Sequence, residues 1–142
     1  LEINVQLIHP EAKLPYRASD SAAGYDLFSV DFWILKPGER HLYGTGLSLE
    51  IPHGHEGQVR PRSGLACRDG IIIPNSPGTI DADYRGEVKI CLLNVSNENF
   101  TIEPGMRIAQ LVIAPVKSVT FQEVKAVRGS VRGSGGFGST GL

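Results

Sequence analysis

Cysteine is scarce in this sequence: Cys67 and Cys91 are the two it has. Two cysteines are too few for a secreted disulfide framework, and their spacing matches no zinc motif. A reducing interior such as the cytoplasm is therefore the expected setting. Long apolar runs are missing as well. Nothing approaches the ~20 apolar residues that span a bilayer, and no signal peptide is visible in the chain as given. Net charge is close to absent at −1, so neither nucleic acid nor an anionic membrane is attracted in general. Any polyanion must be held by a local group of basic side chains. Trp33 is the one tryptophan, and with Phe32 it reads as packing rather than as a base-stacking platform. His53 and His55 stand in "PHGHE", a Pro/Gly turn, and read as surface residues. No H-x-E…P-C-x-x-C arrangement occurs, which argues against a zinc deaminase, and no Ser/His/Asp assignment stands out.

Helical periodicity is almost as rare. Only "SGLACRD", Ser63 to Asp69, could make a helix, of two turns at most. What is plentiful is period two. Ile3, Val5 and Leu7 alternate with polar neighbours, as do Leu47, Leu49 and Ile51, and such segments read as half-buried strands. Residues 32–35, 56–60, 71–73, 87–95, 100–102, 107–114 and 120–124 add further strands. Turn signals separate them: "KPGE", "PHGH", "SNEN" and "EPGM". With 142 residues, 41% of them hydrophobic and 20% charged, the chain reads as one globular domain with a modest core. The expected fold is all-β, a jelly-roll-like sandwich or barrel over residues 1–125. The composition shifts once, near Ala126, where a glycine-rich arm of residues 126–142 begins.

That arm contains "RGSGGFGSTG", Arg132 to Gly141. Gly133, Gly135 and Gly138 satisfy G-x-G-x-x-G, and Gly133 through Thr140 nearly satisfy a Walker pattern with Ser139 in the lysine position. Both patterns need a following helix, whose N-terminus supplies part of the anion site. Only Leu142 follows Gly141, so neither applies. The arm is either a disordered tail or a strip of backbone donors able to wrap phosphate. A plain linker has no use for Arg132 and Phe137 among its glycines.

Four further stretches could carry chemistry. In "PNSPGTIDADYRGEVKI", Pro77-Gly78 forces a turn and Ala82 to Gly86 is expected to close a hairpin crowded with Asp81, Asp83, Tyr84 and Arg85. Such residues can be plain turn formers. A carboxylate held on an ordered strand can also orient a water, the task of a general base. In "RPRSGLA", Arg62, the Ser63 hydroxyl and the following N–H groups are either a capped surface turn or the parts of a phosphate corner. In "AAGYDL", Gly24 permits close backbone approach. Asp26 there is either a turn residue or an outer partner of Mg²⁺, which usually keeps several waters. In "GMRIAQLVI", Arg107 and Gln110 interrupt an apolar strand, and an inward amide needs partners.

Taken in order, "AAGYDL", "PRSGLA", "GTIDADYRGE", "RIAQLVI" and "RGSGGFGSTG" resemble the five motifs of the trimeric dUTPase family, from about residue 20 onwards. That resemblance implies a jelly-roll homotrimer hydrolysing dUTP to dUMP and pyrophosphate with Mg²⁺, with active sites at the subunit junctions. By the same resemblance, Asp81 would hold the attacking water, accept its proton and touch the 3′-hydroxyl. Tyr84 would pack beneath the deoxyribose and reject a ribose. Asn75 and the backbone around Gly78, Thr79, Ile80 and Lys89 would read the uracil edge. Arg62, Ser63, Gly64 and Gln110 would hold the phosphate chain, and Asp26 would contact the metal's water shell. Arg107 would stand behind Asp81. From the arm, Phe137 would stack on uracil, while Arg132, Gly138, Ser139 and Thr140 would close on the terminal phosphates. One departure is a doubled Arg-Gly-Ser triplet, at Arg128 and at Arg132; spacing to Phe137 selects Arg132. The competing expectations are a dCTP deaminase-like enzyme of the same fold and a non-catalytic nucleotide-binding β-domain.

Overall fold

Alternation along the chain becomes a sandwich of antiparallel sheets. The computed structural model describes residues 1–141; Leu142, the last residue of the expected arm, lies outside the described residues. The strands are β1 (Asn4–Leu7), β2 (Tyr25–Phe28), β3 (Trp33–Leu35), β4 (Arg40–Glu50), β5 (His55–Arg60), β6 (Ile71–Ile72), β7 (Gly78–Ile80), β8 (Glu87–Asn94), β9 (Phe100–Ile102) and β10 (Arg107–Pro115). One sheet has the order β1-β4-β8-β6, a second β2-β10-β5-β7, and β3 pairs with β9. In β8, Val88, Ile90 and Leu92 point inward at every second residue. They join Leu47 and Leu49 from β4, and Leu27, Val59, Ile80, Ile108 and Leu111 from the second sheet, in one core. Each such side chain contributes about 1.5–3 kcal/mol relative to exposure. This is the all-β, jelly-roll-like architecture expected from the alternation.

The expected helix is present as α1 (Ser63–Asp69), and it ends where Gly70 turns left-handed at φ 67. A side chain there would be strained, which is why the stop falls on glycine. In β4 the alternation fails from Tyr43 to Leu47, five consecutive buried residues, and the pairing with β8 shifts between Gly44 and Ser48. Two carboxylates take over the interrupted ladder: Gly44 N–H donates to Asp31 Oδ2 at 2.6 Å and Gly46 N–H to Glu87 Oε1 at 3.0 Å.

Two expectations need correction. Residues 120–124 form no strand. Their apolar side chains meet no sheet of their own chain, and Phe121 is 93% exposed. Ala82 to Gly86 does reverse the chain, with Tyr84 N–H donating to Asp81 O at 3.1 Å. It does not close a hairpin, because β7 pairs with β5 whereas β8 pairs with β4 and β6. The turn carries the chain from one sheet to the other.

Candidate active site

Outside the arm, the predicted residues gather in two places rather than one. The first is a cavity of about 550 Å³ bordered by Gly24, Asp26, Arg62, Ser63, Gly64, Arg107 and Gln110, among others. Asp26 on β2 lies opposite Gln110 on β10, which in turn lies opposite Arg60 on β5, so the sheet itself lines up this corner. The chain leaves β5 through Pro61 and Arg62 directly into α1, which delivers Ser63 and Gly64 to the rim. Gln110 donates its Nε2 to Pro61 O at 2.9 Å, meeting the need of an amide on a mostly apolar strand. Gly24 leaves room for the Gln110 carboxamide, which a Cβ at that position would push aside.

Arg107 reaches the same corner by a bulge. Three residues apart on a regular strand, Arg107 and Gln110 would face opposite sides. The register of β10 against β2 shifts between Arg107 and Ala109, and Ile108 and Ala109 are both buried. The extra residue re-aims Arg107 onto the side of Gln110. There its guanidinium lies 3.2 Å from Asp26 Oδ2. Within the chain its partner is Asp26, and the Asp81 expected beside it belongs to the second place described below. Arg62 Nε lies 3.0 Å from Asp26 Oδ1, and its Nη1 donates to Arg107 O at 3.4 Å. Arg68 also borders the cavity, an assignment that sequence reading missed. The available signal was its spacing of four from Gly64 on one helix face. Its guanidinium is taken up by Asp69, at 3.0 and 2.8 Å, and that pairing holds the Asp69 carboxyl below its ordinary range.

The second place surrounds the turn from Asp81 to Gly86. β7 is the last strand of its sheet, so one backbone edge of Gly78, Thr79 and Ile80 is open. β8 is covered on one side by β4, while β6 covers only Leu93 and Asn94 on the other. The backbone near Lys89 therefore has an open edge too. Asn75 leans on this site, with its Nδ2 3.1 Å from where a Cβ of Gly78 would stand. Tyr84 donates its hydroxyl to Glu87 O at 3.0 Å. Gly86 is required beneath the ring, since a Cβ would collide with the tyrosine hydroxyl. Asp81 is exposed, and no protein donor among the described residues bonds its carboxylate. Lys89 Nζ lies 3.7 Å from Glu87 Oε2.

The two places are far apart. From Asp26 to Asp81 the path crosses from β2 to β7 and runs from the row of Gln110 to that of Ala114. That is roughly 20 Å at about 4.8 Å per strand and 3.4 Å per residue. The arm meets neither place through hydrogen bonds. From Lys117 to Gly141 its bonds are local: Gly133 to Ser130, Gly135 and Arg132 to each other, Ser139 to Gly136, Gly141 to Gly138. Phe137 is fully exposed, and Ser139 and Thr140 are exposed beside it.

Among the described residues no group of three or more His, Cys, Asp or Glu could hold a metal ion. In the lining of the first cavity the one carboxylate is Asp26. That donor set cannot cage a cation. It fits an ion carried in by substrate phosphates that keeps its waters and touches the protein through one carboxylate, as Mg²⁺ does.

Residues 10–141 match a family model described as dUTPase. The deoxyuridine 5′-triphosphate nucleotidohydrolase of Clostridium tetani is 51% identical over 139 residues, covering 98% of this chain and 96% of that protein. The enzyme of the same name from Nautilia profundicola is 52% identical over 141 residues, 99% of each chain. Among solved structures, a mutant dUTPase of Staphylococcus bacteriophage 80alpha with dUpNHpp superposes with a TM-score of 0.92 at 31% identity, covering 99% of both chains. A mutant dUTPase from phage phi11 of S. aureus, which coordinates a structural Mg(II) ion, gives 0.84 at 26%, covering 89% of this chain and 99% of that one.

Proposed function

This chain belongs to the dUTPase family and is a dUTP nucleotidohydrolase, and we propose that it cleaves dUTP at the α-phosphorus with a water aimed by Asp81. The observation that carries this mechanism is a division of labour. The first cavity offers arginines, Ser63 and Gly64 for phosphate but has only Asp26, already held by two guanidiniums. The turn offers the uncommitted carboxylate of Asp81, but the phosphate-binding groups lie elsewhere. Neither half suffices, and roughly 20 Å separates them within one chain. That separation supports a homotrimer in which the corner of one subunit faces the Asp81 turn of its neighbour, a heterologous contact that closes into a ring.

In such a site the open edges of β7 and β8 present fixed donors and acceptors to uracil. Cytosine carries an amine where uracil has a carbonyl, which leaves buried polar groups unpaired and is strongly rejected. Tyr84, anchored through its hydroxyl to Glu87 O, packs under the deoxyribose and leaves no room for a 2′-hydroxyl. Arg62, Ser63, Gly64 and Gln110 hold the phosphates, and Asp81 accepts the proton of the attacking water. Asp26 would meet the water shell of a Mg²⁺ ion carried by the triphosphate, which would supply charge neutralisation there. The arm, residues 126–142, closes over the bound nucleotide and excludes bulk water, with Phe137 on the base and Arg132, Gly138, Ser139 and Thr140 on the terminal phosphates. Both cysteines are free, which supports a reducing compartment such as the cytoplasm. The deaminase and non-catalytic readings are not favoured, because relatives near half identity over the whole chain are nucleotidohydrolases.

The test is pyrophosphate release from dUTP, UTP, dTTP and dCTP in parallel, with the wild type and with Asp81→Asn. The expected outcome is turnover of dUTP alone, lowered by about 10²–10⁴ in Asp81→Asn. Undiminished cleavage by the variant would remove Asp81 from the mechanism.

A further inference from the structure

Asp26 has a second relation to its surroundings that outer contact with a metal does not require. Its two carboxylate oxygens are each taken by a different arginine, Oδ1 by Arg62 and Oδ2 by Arg107. The carboxylate is 14% exposed, the guanidinium side chains 30% and 47%. The anion is thus sunk behind two cations that face the cavity. The three residues come from three segments: β2, the bulged start of β10, and the link from β5 into α1. Arg62 is further tied to the backbone of Arg107, and Gln110 ties the residue before Arg62.

We propose that Asp26 is a positioning residue: it tethers Arg62 and Arg107 side by side before any phosphate or metal arrives, so that their remaining N–H groups already face the cavity. The inference rests on the reading of this cavity as the phosphate corner. Two guanidiniums on adjacent segments repel, and each carries several rotatable bonds. One carboxylate between them offsets the repulsion and removes that freedom in advance. Each guanidinium has five N–H donors. Asp26 takes one from each arginine and the backbone of Arg107 takes another from Arg62, so most remain for a ligand.

Two effects of removing the tether have opposite signs, which makes the proposal sharp. Replacing Asp26 by Asn takes a negative charge from an anion site, and charge alone then strengthens anion binding. Loss of the tether frees both arginines, and ordering them on binding weakens it. A role confined to the metal's water shell predicts no weakening when metal is absent.

The experiment uses the full chain in EDTA, with inorganic pyrophosphate as the probe and calorimetry as the readout. Asp26→Asn is expected to weaken metal-free pyrophosphate binding roughly tenfold, ordering outweighing charge. In the untouched wild type, NMR is expected to show the Arg62 Nε–H exchanging with water far more slowly than that of Arg128, which is exposed in the arm. This second readout stands even if the variant fails to fold. Equal or tighter pyrophosphate binding by a folded Asp26→Asn overturns the tether, as does rapid exchange at Arg62 in the wild type. Where the wild type hydrolyses dUTP and binds pyrophosphate, either of those results sinks the tether alone. A wild type that does neither sinks the phosphate corner as well.

Discussion

Tyr43 carries the one buried hydroxyl among the described residues that has no hydrogen-bond partner. Its ring is fully buried, edge-on to His41, which stacks on Trp33 with centroids 4.2 Å apart. Burial, reinforced by the charges of Glu39 and Asp31, pushes its pKa up to about 12 from 10.0. The folded state therefore holds the phenolic proton more tightly than the unfolded state. This contribution to stability is full below pH about 10 and is lost as pH rises towards about 12. Tyr43→Phe removes an unsatisfied polar atom and keeps the packing, so it should hold or raise stability by about 1 kcal/mol. Unfolding midpoints against pH check this: the variant should lead at neutral pH and lead further above pH 10. A variant markedly less stable than wild type at neutral pH would mean that the hydroxyl has a partner.

At the scale of elements, strands and the helix were legible because alternation and turn residues are local signals. Val88, Ile90 and Leu92 announce β8, and Gly70 announces the end of α1. Pairing was not legible, because the partner of a strand is chosen over a long range. Pro77 to Gly86 looks like a hairpin until β7 and β8 are found in different sheets. The bulge that turns Arg107 towards Gln110 leaves one local mark, the apolar pair Ile108-Ala109 that breaks the alternation in "RIAQL". In the arm, Gly133, Gly138 and Gly141 take φ of 55°, 86° and 85°, and Phe137 itself takes 51°. These turns give the arm a shape while leaving Phe137 and the hydroxyls of Ser139 and Thr140 outward. If the arm delivers Arg132 to the terminal phosphates, Arg132→Ala should lower kcat roughly hundredfold or more, as for a guanidinium brought to developing phosphate charge. Arg128→Ala should change it little. Equal losses would break the assignment based on spacing to Phe137.

For the whole molecule, the five stretches named the chemistry, while the division of four of them between two places about 20 Å apart followed only from the sheet order. Residue types reveal what a side chain can do; strand order decides which of them meet. The exposed segment around Phe121 belongs to the same scale, since a strand-like pattern without a partner in its own chain forms no strand. The claim on which the account rests is that one reaction needs Arg62 from one subunit and Asp81 from another. Mixing two inactive proteins, Arg62→Ala and Asp81→Asn, under conditions where subunits exchange tests it directly. Pyrophosphate release from dUTP should return to about a quarter of the wild-type rate at equal mixing, because each half of a shared site is drawn independently. Mixed trimers that form and stay inactive would contradict it, for they would place Arg62 and Asp81 at one site within a single chain.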